Sequence, residues 1–507
     1  MPVSIDLTLD RIQKLASCFP PYTRPTCHVA GTNGKGSVSV LLSSIFRSSS
    51  PALNVGRFNS PHLTSVHDCV VINNEPVALD VYSATRNEVE DADRSRGIGA
   101  SNFELLTLTA LLVFERMCVD IVVVEVGMGG RLDATNIIPD QCILVSALTA
   151  VDLDHEAILG GTVAGIAREK AGIARRDRPF VIGPQKYPEV EEAVRSVVTE
   201  RGGRIEIAPA ATKREWSQKK SASYSISLSP SSFRVPPPQP VRITMPYFSE
   251  DIDTVLPLCG GHQLENLGIA ATVISTLLTH SWCIGSSINL RERITPSSIS
   301  QGVKDATWPG RLSFHKVFVQ PVRVVGSASA SSPCPLIVLV DGAHNPASSS
   351  TLAAFIADLL VTRCNPHIGD VSKPRTVSLT YILAFSHAPP KSPLHTLAPL
   401  LSSRFASNIR VKTNVAMVKF TPPDGMPWAK PTPPNELRRV VLAVHPNANV
   451  WVPSDNDDSE LGNLHRAFEW ATTNQDSEEN LVILTGSLYL VADFYRLMRD
   501  GVLVSGE

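Results

Sequence analysis

The sequence predicts an α/β protein of two domains, and three observations lead to this fold class. From about residue 25 onward, apolar runs that favour strands alternate with stretches of helical periodicity, which is typical of parallel β-α units. The chain is 507 residues long, enough for two or three domains. A glycine-rich turn joins the first of these strands to the first long helix, as in nucleotide-binding α/β proteins.

Seven apolar runs are the best strand predictions, and an amphipathic helix is predicted before the first of them. The helix prediction rests on Leu7, Ile12 and Leu15, which alternate with acidic residues near the N-terminus. The predicted strands are Cys27–Ala30, Asn54–Phe58, Ile121–Val124, Cys142–Ala147, Leu336–Val340, Tyr381–Phe385 and Leu481–Leu484.

Residues near 290–315 lie between two α/β blocks, so we place the domain boundary there: residues 1–310 and residues 311–507. Two segments have biased composition. The segment 212–240 is rich in Ser, Pro and Lys, and the segment 325–335 is rich in Ser and Ala. Because both contain few apolar side chains, we expect them to be surface insertions outside the two cores.

Composition argues against several classes of function and location. The 46 basic and 48 acidic side chains give a net charge of -2, so neither nucleic acid nor an anionic membrane is expected as the main partner. Nine scattered cysteines without a CxxC pair suit reduced thiols better than a disulfide or zinc framework. No apolar run approaches the roughly 20 residues of a membrane span. The N-terminus lacks a signal-peptide core and contains acids, so a cytoplasmic location is expected.

The stretch HVAGTNGKGSVSVLLSSIF, residues 28–46, predicts a phosphate site. A strand, a glycine turn and a helix N-terminus together direct backbone N–H groups and the positive end of the helix dipole at an anion. Lys35 would add a positive charge. In the ordinary phosphate loop Ser or Thr directly follows the Lys, whereas here Gly36 separates Lys35 from Ser37. A simple glycine turn would not explain the Lys. The following helix should bury one apolar face: Val38, Leu41, Leu42, Ile45 and Phe46.

Polar residues follow five of the predicted strands, where open α/β sheets bind ligands. Any one of them could merely cap a strand, but five together with a phosphate loop favour a site. They are Asn59, Ser60 and His62; Glu125; Asp152, Asp154 and His155; Asp341 with the rest of DGAHNP; and Ser386 with His387.

Eight motifs in order resemble the folylpolyglutamate synthase and dihydrofolate synthase family, a branch of the Mur-ligase-like ATP-dependent amide ligases. They are GTNGKGS, SPHL, FELLT, EVGMGGRLDATN, LDHEAILGGTVAGIAREKAGI, GGHQLENLGIA, WPGRL and DGAHNP, between residues 31 and 346, with TGSLYL at 485–490. The resemblance implies an N-terminal Mur-ligase-like P-loop ATPase domain and a smaller C-terminal Rossmann-like α/β domain. It also explains the phosphate loop, because in this family a Gly lies between the Lys and the Ser.

The resemblance implies roles for individual residues. It gives Lys35 and a carbamylated Lys170 catalytic roles, and His344 either a catalytic role or a structural role in a turn. Without the motif, Lys170 beside Arg168 and Glu169 would be read as an exposed helical lysine. Carbamylation requires Lys170 to be desolvated enough to be a neutral amine. The implied ATP contacts are Asn33, Gly34, Lys35, Gly36, Ser37, Asn266, Arg311 and Asp341. The implied magnesium ligands are Ser60, Glu125, His155 and Lys170. The implied substrate contacts are Phe103, Glu104, Leu132, Asp133 and Ala134.

The implied reaction is ATP-driven amide formation through an acyl phosphate, with L-glutamate as the amine. The implied cofactors are ATP, two Mg²⁺ ions and a monovalent cation, and the implied partners are small molecules bound by a monomer. VINNEPVALD, DGMPWA and GSLYL resemble fungal-type monofunctional dihydrofolate synthases, which favours dihydropteroate as the acceptor. The alternatives are extension of the glutamate tail of tetrahydrofolates, both activities in one enzyme, or a nucleotide-binding switch without catalysis.

Two positions depart from the family pattern. Cys69 replaces the Arg that usually follows SPHL, which leaves the substrate loop without that charge. FSHAPPKS, residues 385–392, replaces a loop that is often Asp-Lys-Asp.

Overall fold

The structure is a computed structural model, and it describes residues 8–216, 227–285, 288–320, 335–361, 375–387, 392–403, 405–423, 426, 429–454, 459–475, 477 and 479–506. The chain divides into two compact units. Unit 1 comprises Met1–Glu215 and Pro238–Trp308, and unit 2 comprises Trp216–Pro237 and Pro309–Glu507. No described helix combines the length and the apolar character that crossing a lipid bilayer requires.

Unit 1 is built on an eight-stranded sheet with the strand order β4-β3-β2-β5-β1-β6-β7-β8. A small antiparallel sheet, in the order β11-β10-β9, accompanies it. The strands of the large sheet are β1 Thr26–Ala30, β2 Val55–Phe58, β3 Val70–Ile72, β4 Glu75–Pro76, β5 Ile121–Glu125, β6 Ile143–Leu148, β7 Pro179–Ile182 and β8 Arg204–Ile207. Those of the small sheet are β9 Thr212–Lys213, β10 Gln239–Ile243 and β11 Ile252–Leu256.

Helices cover the large sheet and connect its strands. They are α1 Asp10–Ala16, α2 Lys35–Arg47, α3 Leu79–Arg96, α4 Asn102–Arg116, α5 Glu156–Leu159, α6 Val163–Ala171, α7 Pro188–Glu200, α8 His262–Thr279, α9 Ser281–Ile284, α10 Leu290–Arg293 and α11 Pro296–Lys304. Short 3₁₀ helices occur at Val66–Cys69, Ala134–Ile137 and Asp140–Cys142. The first helix buries Ile12 and Leu15, as predicted, whereas Leu7 lies outside the described residues.

The central strand β1 lies between β5 and β6 and is parallel to both. The carboxyl ends of these strands are therefore at one edge, where the chain turns from Ala30 into the phosphate loop and where β5 ends at Glu125. All of β1 and β5 is buried, because helices cover both faces of a parallel sheet.

Unit 2 contains a seven-stranded sheet with the order β16-β15-β14-β17-β13-β12-β18. Its strands are β12 Ser313–Val319, β13 Pro335–Val340, β14 Arg375–Leu383, β15 Ile409–Met417, β16 Asn449–Trp451, β17 Glu479–Thr485 and β18 Leu503–Ser505. Strands β13 to β17 pair in parallel, and β12 is antiparallel to both of its neighbours. Its helices are α12 Pro346–Val361, α13 Pro393–Leu401, α14 Pro434–Val444, α15 Glu460–Thr473 and α16 Leu488–Arg499.

The predicted α/β fold class is confirmed, and each of the seven predicted runs falls on a strand. The largest shift is in the run predicted at 381–385, where the strand begins at Arg375 and ends at Leu383. The start of that strand was missed because Thr376, Ser378 and Thr380 interrupt the continuous apolar run that is typical of a buried parallel strand.

The expectation that residues 212–240 lie outside both cores is wrong for the part of the segment that the structure describes. Leu228 is completely buried, and its carbonyl accepts a hydrogen bond from the Asn480 N–H at 3.4 Å. The Phe233 ring packs near the Phe314 ring, with centroids 6.2 Å apart. Isolated apolar residues in a polar segment can thus be core residues. Residues 217–226, and 325–334 of the other segment, lie outside the described residues.

Candidate functional site

The phosphate loop begins where β1 ends and continues into α2. Gly34 caps the start of α2 in the left-handed region, with φ of 95°, and no side chain caps this helix. A Cβ on Gly34 would lie 2.3 Å from Asn266 Oδ1, so only glycine allows this approach. The backbone N–H groups of Thr32 and Asn33 donate to the Ala150 carbonyl, which fixes the loop against the end of β6. The N-terminus of α2 is thus held in the form suited to an anion.

Asn266 reaches the phosphate loop through a buried amide network on α8. Its Nδ2 donates to Gln263 Oε1 at 2.9 Å, and Gln263 Nε2 lies 3.2 Å from the Ser37 hydroxyl. The two amides are three residues apart, which places them on one face of the helix. This network links Asn266 and Ser37, two of the predicted ATP contacts, through a residue that the sequence analysis did not select.

Lys35 and Lys170 converge on a single backbone carbonyl. Lys170 Nζ donates to the Gly31 carbonyl at 2.8 Å, and Lys35 Nζ donates to the same oxygen at 3.2 Å. Lys35 Nζ also lies 3.7 Å from Glu125 Oε1 at the end of β5. A side chain from α6, one from α2 and one from β5 therefore meet beside the phosphate loop.

Lys170 is buried rather than exposed, with a relative exposure of 4%. Burial is the main cause that lowers the pKa of Lys170 to about 7, and the nearby positive charge of Lys35 lowers it further. A pKa this close to neutrality leaves part of the amine uncharged at pH 7. Without the motif, the sequence predicts a surface lysine, because Arg168 and Glu169 beside it are ordinary surface residue types. In the structure, Lys170 lies on the buried face of α6.

Glu125 is the buried carboxylate of this cluster. Its Oε2 accepts a hydrogen bond from Asn59 Nδ2 at 2.6 Å. Ser60 follows Asn59 and is partly buried, and His155 is exposed at the start of α5, with φ of 53°. In the described part of the chain, no three His, Cys, Asp or Glu side chains lie close enough together to hold a metal ion by themselves. A cation here would need other oxygens, such as those of a modified lysine, a hydroxyl group or a nucleotide.

Asp133 is the most deeply fixed of the predicted substrate contacts. The buried carboxylate accepts hydrogen bonds from the backbone N–H groups of Met128 and Thr135, and burial raises the pKa of Asp133. Its neighbour Ala134 is buried and Leu132 is partly buried. These contacts shape the turn after β5, and a role in binding substrate stays a prediction.

The other two predicted substrate contacts lie at the start of α4. The Phe103 ring leaves no room for a Cβ on Gly127, which would lie 2.3 Å from Cζ. Glu104 completes a capping box with Ser101 and forms an ion pair with Arg11 at 3.2 Å. Glu104 thus has a structural role in capping the helix, and a contact with substrate stays a prediction for both residues.

In unit 2, the predicted nucleotide contacts surround one turn. Asp341 accepts hydrogen bonds from the backbone N–H groups of Leu312 and Ala343, at 2.9 Å each. Burial raises the pKa of Asp341, and the adjacent Arg311 opposes that shift. His344 Nδ1 lies 2.8 Å from the Gly342 carbonyl, a contact that a structural role in the turn would explain. The contacts of Arg311, Asp341 and His344 with a nucleotide stay predictions.

Gln263 and Arg57, both near the phosphate loop, were missed from the sequence, and Asn59 was named there without a partner. Gln263 was hidden inside GGHQLENLGIA, where its spacing of three from Asn266 was the available signal. Asn59 directly precedes Ser60, yet it is Asn59 that contacts Glu125. Arg57 is the one charged residue of β2, and a charge within a buried strand was a signal that could have been read.

The fold and the site define an α/β nucleotide-binding protein with a phosphate loop. Residues 327–497 match the family model described as Dihydrofolate synthetase, C-terminal domain. The chain is 29% identical to the dihydrofolate synthetase of Saccharomyces cerevisiae over 497 residues, covering 98% of each chain. It is 32% identical to a dihydrofolate synthase/folylpolyglutamate synthase of Mycobacterium tuberculosis over 374 residues, covering 70% of this chain and 67% of that protein.

A solved structure is also similar, that of Mycobacterium tuberculosis folylpolyglutamate synthase complexed with ADP and AMPPCP. It aligns with a TM-score of 0.67 and 25% identity, over 97% of this chain and 95% of that one. The chain belongs to the folylpolyglutamate synthase and dihydrofolate synthase family, and it is a ligase. The resemblance inferred from the motifs is confirmed.

Proposed function

We propose that this chain is an ATP-dependent ligase that joins L-glutamate to 7,8-dihydropteroate through an acyl phosphate and so makes dihydrofolate. The observation that carries the catalytic part is the convergence of Lys35, Lys170 and Glu125 beside the phosphate loop. The AMPPCP complex of the Mycobacterium tuberculosis relative supports ATP as the nucleotide. The preference for dihydropteroate is supported by the similarity to the Saccharomyces cerevisiae dihydrofolate synthetase, which extends over 98% of both chains.

Lys170 would carry a carbamate in the active enzyme. Its buried amine is neutral often enough near pH 7 to attack carbon dioxide, with loss of one proton from the nitrogen. The product replaces the repulsion between two ammonium groups at the Gly31 carbonyl by attraction between a carboxylate and Lys35. Burying the Lys170 ammonium group beside that of Lys35 costs free energy, and carbamylation of Lys170 removes this cost.

Magnesium is the metal that this donor chemistry suits. Glu125 and the carbamate of Lys170 would supply carboxylate oxygens, Ser60 a hydroxyl group, and His155 a nitrogen, with nucleotide oxygens completing the set. When bound, the metal would neutralise phosphate charge, and we infer two such ions together with a monovalent cation. The main reason to place magnesium here is Glu125, whose carboxylate is buried at the end of β5.

The reaction would proceed in two displacements. A carboxylate oxygen of dihydropteroate forms a bond to the γ-phosphorus while the bond to the bridging oxygen breaks, and the electron pair leaves with ADP. Lys35 offsets the charge on the phosphoryl oxygens during this transfer. The α-amine of L-glutamate then attacks the acyl carbon, phosphate leaves with the former carboxylate oxygen, and the nitrogen loses a proton.

We infer small-molecule substrates only, a monomer, and a cytoplasmic enzyme. The balanced charge and the scattered thiols support these inferences; the seven cysteines in the described part of the chain are free.

Oxygen transfer tests the acyl phosphate directly. Dihydropteroate carrying ¹⁸O in its carboxylate should be incubated with ATP, magnesium and L-glutamate, and the released phosphate analysed by mass spectrometry. One ¹⁸O atom per phosphate is expected, with dihydrofolate formed in equal amount. Turnover without label in phosphate would refute the acyl phosphate, and the absence of any glutamate-dependent turnover would favour a nucleotide-binding switch.

The second candidate function is extension of folates that already carry glutamate. It is supported by the Mycobacterium tuberculosis relative, whose name, dihydrofolate synthase/folylpolyglutamate synthase, includes both activities. The chemistry at the phosphate loop would be the same for both acceptors, so only the acceptor site separates the two functions.

A further inference from the structure

Arg57 lies on β2, on the face of the sheet that the phosphate-loop helix α2 covers. Its neighbour two residues before, Val55, belongs to the apolar cluster that contains the buried side chains of α2. The next residue, Phe58, belongs to the cluster on the opposite face with Phe114. Because side chains alternate along a strand, Arg57 is directed to the side of α2.

The Arg57 side chain is buried, and its guanidinium lies over an aromatic ring. Its relative exposure is 8%, and its guanidinium carbon lies 5.2 Å from the centroid of the Trp308 ring. That ring in turn touches the start of α2, since a Cβ on Gly36 would lie 2.6 Å from Trp308 Cζ2. The guanidinium is therefore positioned beside the phosphate loop within unit 1.

Two of the Arg57 nitrogens, Nε and Nη1, are buried without a hydrogen-bond partner, and so is the Nε1 atom of Trp308. Buried donors are normally satisfied, because an unpaired one costs free energy. Burial lowers the pKa of Arg57 to about 10, with Glu125 opposing the shift, so the group stays cationic at neutral pH. Glu125 itself accepts a hydrogen bond from Asn59 and forms an ion pair with Lys35.

A buried cation with unused donors beside a phosphate loop is suited to an anionic oxygen that arrives with a ligand. We propose that Arg57 is a further catalytic residue, whose guanidinium donates to an oxygen of the phosphoryl group during its transfer from ATP to the substrate carboxylate. This inference rests on the proposed function. As the carboxylate oxygen bonds to the γ-phosphorus and the bridging bond breaks toward ADP, charge shifts on the phosphoryl oxygens. Arg57 offsets that charge together with Lys35, and no proton is transferred.

The competing explanation is structural: Arg57 would merely pack against Trp308. The two explanations predict opposite effects on stability. A catalytic cation without partners destabilises the free enzyme, so removing it should leave the melting temperature unchanged or raise it. A cation that stabilises the fold by packing should lower the melting temperature when it is removed.

The test uses R57M, which keeps an unbranched stem but removes charge and donors, and R57K, which keeps charge alone. For R57M we expect kcat to fall about 100-fold, with KM for L-glutamate changed less than about threefold and no loss of melting temperature. The kcat of R57K should be about tenfold higher than that of R57M. R57M with unchanged kcat and a lower melting temperature would overturn the inference.

A matched control is available elsewhere in unit 1. Arg178 also lies over a tryptophan, with its guanidinium carbon 3.4 Å from the Trp282 ring centroid, but it donates from Nε to the Ile143 carbonyl. R178M should lower the melting temperature and leave kcat unchanged.

AMPPCP binding in the presence of magnesium separates this inference from the proposed function. R57M should bind AMPPCP about tenfold more weakly than the wild type in calorimetry. If the wild type lacked ligase activity but showed this difference, the proposed function would fail and the anion contact of Arg57 would stand. Equal affinities would overturn the contact, whether or not the wild type is active.

Discussion

At the scale of single residues, the environment of Lys170 determines its chemistry. The amine lies on the Gly31 carbonyl beside a second ammonium group, and burial lowers its pKa to about 7. In water the same side chain would stay protonated and would not capture carbon dioxide. The REKAGI motif led us to expect carbamylation, and the position of Lys170 on the buried face of α6 gives a physical basis for that prediction.

Replacing Lys170 by Ala should lower the rate of ATP-dependent ligation by at least about 100-fold, because the carboxylate that faces the phosphate site is lost. Millimolar formate or acetate should restore part of the rate by occupying the vacated volume. Arg168→Ala is the control, since Arg168 is exposed on the same helix. Steady-state phosphate release measures all three. Wild-type activity in the Lys170 variant would contradict the assignment.

His28 illustrates how a buried residue adds pH dependence to stability. Its Nε2 lies 2.8 Å from the Thr135 hydroxyl, which itself donates to Asp133. Nε2 is therefore the donor, and Nδ1 is buried without a partner. Burial lowers the pKa of His28 from 6.5 to about 3. Below pH 6.5 the unfolded chain binds a proton that the folded chain excludes, so stability falls as the pH drops from 6.5 towards 3.

His28→Gln should remove this contribution while keeping a donor near the Thr135 hydroxyl. Between pH 6.5 and 5, the wild type should lose about 2 kcal/mol more unfolding free energy than the variant. Urea titrations at both pH values measure the difference, in which groups common to both proteins cancel. Parallel losses in the two proteins would show that His28 titrates normally in the folded state.

At the scale of elements, the helix α2 was predicted with one apolar face, and the structure buries it on nearly all sides. Val38, Leu41, Leu42 and Ile45 are fully buried as predicted, but so are serines of the same helix, including Ser39. The sheet covers one side, while α8 and α11 pack on the other. Sequence periodicity reveals which face packs on the sheet, but serines give no signal when later helices cover the opposite face.

That close packing depends on a glycine far away in the chain. A Cβ on Gly302 of α11 would lie 2.4 Å from the Ile45 Cα, so the two helix backbones approach closely. No pattern near Gly302 reveals this partner. Contacts between residues more than 250 positions apart are a consequence of the assembled fold, which is why the local sequence did not predict them.

The segment 227–237 is a further element whose packing the composition concealed. Leu228→Ala should lower the free energy of unfolding by about 2–4 kcal/mol, because it removes a completely buried side chain. Val235→Ala is the matched control from the same segment: Val235 is 61% exposed, and its loss should cost less than about 0.5 kcal/mol. Thermal and urea unfolding measure both. If both variants lost equally little free energy of unfolding, the segment would not be part of the core.

At the scale of the whole molecule, the order of motifs predicted the family and the α/β fold, whereas the division of the chain required the structure. Unit 2 includes Trp216–Pro237, which is interposed in sequence between β9 and β10 of unit 1. The chain therefore passes from unit 1 to unit 2 and back before its final passage at residue 309. A polar segment without periodicity gives no indication of the core to which its few apolar residues belong.

The choice of acceptor also belongs to the whole molecule, because no single residue decides it. Extending a folate tail requires a site for an additional γ-linked glutamate, whose carboxylates favour Arg or Lys near the entrance. Cys69 occupies the position where the family usually has Arg; it is buried, and burial raises the pKa of the thiol. A neutral, buried thiol supplies no charge to a glutamyl tail. Dihydropteroate, which lacks glutamate, has no need of that charge.

We therefore expect kcat/KM for dihydropteroate to exceed that for tetrahydrofolate by about tenfold or more, equivalent to about 1.4 kcal/mol of differential transition-state binding. The two acceptors should be compared in parallel with the same enzyme preparation, ATP, magnesium and L-glutamate, with the glutamylated products separated by chromatography. Equal formation of both products would identify a bifunctional enzyme. A preference for tetrahydrofolate would reject dihydropteroate as the principal acceptor. Other cationic residues of the chain would then have to take the role of the Arg that Cys69 replaces.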